Sequence, residues 1–249
     1  MSVQKRGPGQ RHRKQTIDRS QKVVHIAVEG NGTEPDYFRD LDRRLGHELR
    51  FKIHVHSRHN GYTRAVDAVA KVIAEGAKQP GTLWIAIDRD DRHTEGIVDL
   101  NAARRHAENG TVRILMSVPC FEAWLYMHFK QLSADQSIGT AKAMQRKLVA
   151  VGGAFATYGE GRDGKRLTPA RLAELNVDGR VQHAADIARM LIKHCEGLDC
   201  DHPRAAGRPC SVEHRDPSSG IYELLEYIGV VKSYEDGRRG SRPSRNPGK

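Results

Sequence analysis

The sequence lacks several features that would place it in a specialised class of protein. None of its 249 residues lies in an apolar run approaching the roughly 18 residues that a membrane span needs. The basic N-terminus is not followed by the apolar segment of a secretory signal. No GK[ST] follows the Gly30-Asn31-Gly32 turn, which excludes a P-loop, and the full G-x-G-x-x-G of dinucleotide binders is also missing. We therefore expect a soluble, cytoplasmic protein without an ATP site of its own.

Cysteine is scarce as well, since the chain has only four. Without a secretion signal, structural disulfides are not expected. Cys120 stands alone before an apolar helix, which predicts a small buried hydrophobe. The other three, Cys195, Cys200 and Cys210, combine with His202 in the pattern Cys-x4-Cys-x-His-x7-Cys. These four side chains could hold a structural zinc ion, but the spacing fits none of the common templates, so a surface loop that happens to hold cysteines is the alternative.

The net charge of +10 is concentrated at the two ends of the chain. Residues 1–22 carry seven Lys or Arg and one Asp, and residues 232–249 carry six Lys or Arg and two acids. The segment between them is formally neutral. We interpret both ends as disordered basic tails, which attract nucleic acid by neutralising phosphates without reading sequence. The alternative is that they only keep the protein soluble.

The pattern of apolar residues predicts an α/β fold. Strands and helices alternate through the first half of the chain, which indicates a mostly parallel four-stranded sheet with right-handed crossovers. The predicted strands are 23–28, 51–55, 83–87 and 111–116, and the helices between them are 34–45, 66–77 and 100–109. After Pro119 the pattern is helical, and the last helix follows Ser218 or Ser219 as its cap. We expect an α/β core over residues 23–130 and a helical extension over residues 131–231, packed on that core.

Two of the predicted strands end in acids. Glu29 follows the first strand, and Asp88 ends the third, with Asp90 just beyond it. Neighbouring strands lie roughly 4.8 Å apart, so the ends of two strands can bring their carboxylates to one cation. Such acids repel one another unless a hard cation such as Mg²⁺ joins them, and Mg²⁺ can also hold a phosphate. The alternatives are a helix cap, a solvated loop residue, or a phosphate cradled by the Gly30-Asn31-Gly32 turn.

Four ordered blocks of the sequence resemble the RloB family. The first is Glu29-Gly30, Thr33-Glu34 and Tyr37-Phe38, and the second is Asp88-x-Asp90-Asp91. The third is Ser117-Val118-Pro119-Cys120-Phe121-Glu122-Ala123-Trp124-Leu125 with His128-Phe129, and the fourth is Asp216-Pro217-Ser218-Ser219. Val118 and Asp216 stand where the family has Asn. Together the blocks span residues 23 to about 230 and leave only the basic tails outside.

The resemblance implies a fold and a site. RloB proteins resemble the Toprim superfamily, the catalytic domains of topoisomerases, primases and OLD-type nucleases, which implies a Toprim-like fold with an Mg²⁺ or Mn²⁺ site. Glu29 would be the general acid/base or a metal ligand, Asp88 and Asp90 would bind the metal, and Glu34 and Glu122 would be further ligands. Candidates for contacts to phosphate or nucleic acid are Lys165, Arg89 and Arg92, with a solvated lysine as the alternative for the first.

The expected function is therefore that of a Mg²⁺-dependent nuclease. The substrate would be DNA or RNA, with transfer RNA among the candidates. The resemblance further implies a role in bacterial anti-phage defence together with an ATPase partner. Two alternatives stay open: a non-catalytic nucleic-acid-binding subunit of an ATPase complex, and an enzyme that acts on small phosphate esters.

Overall fold

The fold is built on one mixed sheet. The computed structural model describes residues 21–57, 65–89, 105, 110–161, 163–198, 200–202, 206–211 and 214–233. In these ranges the strands are β1 (Lys22–Val28), β2 (Phe51–Ser57), β3 (Thr82–Asp88), β4 (Arg113–Val118) and β5 (Ser218–Ser219). Their order is β2-β1-β3-β4-β5. The first four are parallel, and β5 is antiparallel to β4.

Seven α-helices accompany the sheet within the described residues. Two start at a threonine whose hydroxyl accepts a hydrogen bond from a backbone amide of the first turn: Thr140 from Ala143, and Thr168 from Arg171. The helices are α1 (Thr33–Leu45), α2 (Ala65–Lys78), α3 (Glu122–Met127), α4 (Ala141–Val149), α5 (Pro169–Leu175), α6 (Arg180–Glu196) and α7 (Ile221–Ile228). A short 3-10 helix, Gly153–Phe155, lies between α4 and α5.

Alternate residues of the strands serve two separate hydrophobic cores, as the period of two in a strand requires. On one face, Ala27, Ile85 and Ile87 pack with residues of α2 such as Val69 and Val72. On the other face, a larger cluster joins the sheet to α1 and to the helices of the second half of the chain. Its largest buried side chains are Trp84, Trp124, Tyr158, Phe38, Phe51, Phe121 and Phe155. The two halves of the chain therefore share one core.

The predicted α/β class and the parallel strands are confirmed, but the prediction of four strands is wrong. Ser218 and Ser219 form the fifth strand, in which Ser219 pairs with Ser117 of β4. Gly220 is the N-cap of the last helix, and the Ser219 hydroxyl accepts a hydrogen bond from the Ile221 amide at 3.4 Å. A polar two-residue strand has no apolar alternation, so no sequence pattern marks it. The first strand, β1, begins at Lys22, which was expected to belong to the N-terminal tail. Apart from Arg105, the predicted helix over residues 100–109 lies outside the described residues, as do most of both tails.

No helix within the described parts of the chain combines the length and the apolar character needed to cross a membrane.

Candidate active site at the carboxyl edge of the sheet

The direction in which the chain adds strands to the sheet reverses between β1 and β3. From β1 the chain goes to β2 on one side and then returns to place β3 on the other side. In open α/β sheets, ligands bind at such a switch point, just beyond the carboxyl ends of the strands. Glu29 directly follows β1 and Asp88 is the last residue of β3, and both side chains are half-buried. Two of the predicted acids therefore lie where this type of sheet binds its ligands.

Glu34 brings a third carboxylate to this edge from the first turn of α1. Its side chain is buried against Gly30, where a Cβ atom would lie 2.1 Å from Glu34 Oε2. Any larger residue at position 30 would displace the carboxylate. Burial raises the pKa of Glu34 to about 7, helped by the negative charges of Glu122 and Glu29 and opposed by hydrogen bonds from the backbone amides of Glu34 and Gly30. The three glutamates therefore act on one another electrostatically.

Glu122 is the fourth acid and the first residue of α3, where a negative charge favours the helix dipole. Its side chain is only 4% exposed and has two polar partners within the protein. Lys165 Nζ lies 3.0 Å from Oε1, and the Tyr158 hydroxyl donates a hydrogen bond to the same oxygen at 3.1 Å. Burial opposes the ionised form, but Lys165 and a hydrogen bond from the Cys120 thiol together lower the pKa of Glu122. The structure thus holds Glu122 as an ion-paired carboxylate.

Lys165 reaches the acids from a loop that is fastened to the start of α1. The Thr33 hydroxyl donates to the Lys165 carbonyl oxygen at 2.6 Å and lies 2.7 Å from the Tyr158 hydroxyl. Next to it, the Arg166 guanidinium makes a bidentate ion pair with Asp36, with distances of 2.7 and 2.8 Å. Burial disfavours the Lys165 ammonium, but Glu122 raises its pKa overall, and the more distant Asp88 adds to this. The backbone of this exposed lysine is therefore fixed even though its side chain is about half exposed.

Of the two arginines predicted to contact phosphate or nucleic acid, the structure describes Arg89. Its guanidinium donates to the Gly139 carbonyl at 2.9 Å and lies 3.9 Å from Asp216 Oδ2. It is thus tied to the segment that leads into β5. Asp90 and Arg92 lie outside the described residues. Their predicted roles as metal ligand and phosphate contact stay predictions.

The donor chemistry of this edge fits a hard divalent cation. Glu29, Glu34, Asp88 and Glu122 offer only oxygen atoms, which Mg²⁺ prefers. Among the described residues, their oxygens are not drawn into one compact group of three or more donors. Glu122 instead takes Lys165 as its partner. Mg²⁺ usually keeps several waters and needs only one or two carboxylates, so an open arrangement of this kind is compatible with it.

The four predicted zinc ligands do come together. The Sγ atoms of Cys195, Cys200 and Cys210 and a ring nitrogen of His202 all lie within 4.8 Å of one another, and all three cysteines are buried. In the described parts of the chain, this is the one group of at least three His, Cys, Asp or Glu side chains gathered so closely. The group could bind a metal such as zinc.

Sequence reasoning missed the residues that support the site. The predicted helix 34–45 left Thr33 outside, but α1 includes it, and its hydroxyl donates to the carbonyl oxygen of Lys165. The hydroxyl of Tyr158 has no motif that would have marked it. Cys120 is buried as predicted, and its thiol also contacts Glu122; burial and the charges of Glu122 and Asp88 raise its pKa strongly. A raised pKa favours the protonated thiol over the thiolate at this position.

The comparisons with known proteins agree with the blocks of residues described above. No curated protein and no solved structure matches the chain. The family model described as RloB-like protein matches residues 24–228, which is most of the chain and includes Glu29, Asp88 and Glu122. The protein therefore belongs to the RloB-like family.

Proposed function

We propose that the protein is a Mg²⁺-dependent nuclease with a Toprim-like active site at the carboxyl edge between β1 and β3. The observation that carries this proposal is the position of Glu29 and Asp88 at the ends of adjacent parallel strands, at the switch point of the sheet. The family resemblance supports the same residues. Asp90 would complete the acidic set.

The role proposed for each residue follows from its surroundings. Glu29 and Asp88 are half-buried, so they can reach both a cation and a substrate. Glu29 would transfer the proton between water and the phosphodiester. Mg²⁺, when bound, supplies positive charge that stabilises the phosphate and activates water. Lys165, about half exposed and fixed beside Glu122, would contact a phosphate oxygen of the substrate.

The proposal includes an ATPase partner in anti-phage defence. Its support is the family resemblance together with the missing P-loop, which leaves this chain without a recognisable ATP site. The substrate class, DNA or RNA including transfer RNA, is left to the experiment because Glu29 and Asp88 would serve either.

The test is a cleavage assay with labelled DNA, transfer RNA and other RNA, with and without the proposed ATPase partner, in Mg²⁺, Mn²⁺ or EDTA. We expect cleavage that requires the divalent ion. Glu29→Gln and Asp88→Asn should each reduce it by roughly 10²–10⁴-fold, because each removes an ionised group from the reacting centre. Their circular dichroism and melting temperatures should stay close to those of the wild type.

Two variants serve as matched controls. Glu48→Gln and Asp178→Asn make the same chemical changes at exposed positions, and both should cleave normally. Full cleavage by both Glu29→Gln and Asp88→Asn would contradict the proposed mechanism. Binding that persists in EDTA, declines steeply with salt and never leads to cleavage would favour the non-catalytic binding subunit instead.

A further inference from the structure

The cluster of Cys195, Cys200, Cys210 and His202 has the dimensions of a tetrahedral metal site. The Sγ atoms of Cys200 and Cys210 are 3.6 Å apart. His202 Nδ1 lies 3.4 Å from Cys195 Sγ and 3.7 Å from Cys210 Sγ. Around a tetrahedral zinc ion, two sulfurs lie about 3.8 Å apart and a sulfur and a nitrogen about 3.6 Å apart, as follows from the usual bond lengths. Three of the six separations between ligand atoms therefore lie close to those around zinc, and the other three are no longer than 4.8 Å.

A disulfide does not account for this arrangement. The distance of 3.6 Å between Cys200 and Cys210 is far longer than the roughly 2.05 Å of an S–S bond. One disulfide would also leave a third buried thiol and an imidazole directed at the same point. Three thiols with one imidazole are a soft donor set, which selects zinc over magnesium or calcium.

The second nitrogen of His202 supports a ligand role. Its Nε2 atom lies 3.3 Å from the carbonyl oxygen of Asp216, and the tautomer that donates this hydrogen bond leaves Nδ1 with a lone pair toward the sulfurs. Metal-binding histidines have such an outer partner as a rule, since it fixes the ring orientation. The ring of His202 is therefore oriented from both sides.

The described residues of the surrounding loop make few buried apolar contacts. Between the end of α6 and Asp216, the buried side chains of the described residues are Cys200 and Cys210, and with Cys195 they form a small cluster of their own. In these described residues, hydrophobic burial does little to offset the conformational entropy of the loop. A metal crosslink would add stabilisation.

We propose that Cys195, Cys200, Cys210 and His202 bind one structural Zn²⁺ ion, which fixes the loop between α6 and β5. All four positions are occupied by protein side chains, so the centre is closed and takes no substrate. It joins the last turn of α6 to the segment that enters the sheet as β5.

The zinc centre also connects to the carboxyl edge, and this part rests on the proposed function. His202 bonds the backbone of Asp216, whose Oδ2 accepts hydrogen bonds from Ser137 Oγ at 2.6 Å and from the Gly139 amide at 2.7 Å. Arg89 donates to the Gly139 carbonyl, and it directly follows Asp88. A short chain of hydrogen bonds therefore connects the zinc centre to the residue that follows β3.

The direct test is metal analysis of the untagged, full-length protein. We expect one equivalent of zinc per chain, which a thiol reagent releases stoichiometrically to a chromogenic chelator. Replacement by Co²⁺ should give the ligand-field bands of a tetrahedral site and thiolate charge-transfer absorption. Both measurements use the wild-type protein, so they do not depend on whether a variant folds or whether any substrate is cleaved.

Variants assign the ligands. Cys200→Ser and His202→Ala should lower the zinc content to less than about a tenth of the wild-type value. Cys120→Ala and His214→Ala remove a distant cysteine and a nearby histidine that is bonded to Ser211, and both should keep the full equivalent. A wild-type protein without stoichiometric zinc, or with an octahedral Co²⁺ spectrum, would overturn the site. An unchanged zinc content in both ligand variants would do the same.

Discussion

The two candidate metal sites of this protein differ in almost every physical respect. The carboxylates at the edge of the sheet come from β1, α1, β3 and α3, whereas the zinc ligands lie within sixteen residues of one another. The carboxylates are hard donors, two of them half-buried, and they stand apart. The zinc ligands are soft, largely buried and gathered within 4.8 Å. This difference is what chemistry requires, because a catalytic ion needs room for water and substrate and a structural ion does not.

The sites also balance their charge differently. At the carboxyl edge the protein supplies a cation of its own, since Lys165 pairs with Glu122. Lys165 is about half exposed, so a substrate phosphate can compete for it. In the zinc site the ion itself would supply the positive charge that three thiolates need. One site is thus suited to exchange its partners and the other to keep them.

The largest expected effects come from removing each metal separately. Withdrawal of Mg²⁺ should abolish cleavage and lower the melting temperature by no more than about 1–2 °C, because an ion at a concentration near its Kd stabilises the fold only slightly. Removal of zinc with a thiol reagent and chelator should lower the melting temperature by about 10 °C, which corresponds to about 4 kcal/mol for a domain of this size. Differential scanning calorimetry and the cleavage assay separate the two effects.

Re-addition provides the control. Zinc returned under reducing conditions should restore the melting temperature, and Mg²⁺ should not. If both treatments changed stability equally, or neither did, the distinction between an open catalytic site and a closed structural site would be lost.

The two sites were also predictable to different degrees. The alternation of strands and helices predicted where β1 and β3 end, and therefore placed Glu29 and Asp88 at one edge. Sequence could not show that Lys165 reaches Glu122, because the contact depends on a loop held by Thr33 and Tyr158 through hydroxyl groups that follow no periodicity. The Cys-x4-Cys-x-His-x7-Cys spacing matched no common template, since the path of an irregular loop does not follow from the number of residues in it. The strand β5 was missed for a similar reason.

Acid provides a second way to separate the sites, provided that one buried histidine is accounted for. His128 is 1% exposed and donates through Nδ1 to the Trp124 carbonyl at 2.9 Å. Burial lowers its pKa to about 4, with Arg180 and His183 adding to this and the hydrogen bond to Trp124 opposing it. The unfolded chain therefore takes up a proton as the pH falls below about 6.5, while the folded chain does not until about pH 4. Stability is lost across that window, by about 2 kcal/mol at pH 5.

His128→Asn should remove this part of the acid sensitivity and keep a donor for the Trp124 carbonyl. Urea unfolding between pH 7 and pH 4.5 measures the change, and His47→Asn, at an exposed position, should leave the profile as in the wild type. The loss of stability in acid that remains in His128→Asn should come in part from the release of zinc as the thiols are protonated. Removal of zinc beforehand should reduce that loss. A steep profile unchanged by His128→Asn would contradict the assignment.

The smallest effect concerns the internal cation of the carboxyl edge. Lys165→Met should destabilise the protein by about 1 kcal/mol, since it leaves Glu122 buried without its ion pair; the exposure of Lys165 keeps the value below that of a fully buried pair. Adding Glu122→Gln should recover much of the loss, because glutamine still accepts the hydrogen bond from the Tyr158 hydroxyl without carrying a charge.

A double-mutant cycle by urea unfolding measures the coupling between Lys165 and Glu122. The surface pair Lys71–Glu75, one turn apart on α2, is the matched control, and its coupling should be smaller. Lys165→Met should also tighten Mg²⁺ binding, because it removes a positive charge from the edge. A coupling no larger than that of the surface pair would mean that Lys165 does not stabilise the Glu122 carboxylate. That result would contradict the difference in charge balance between the two sites.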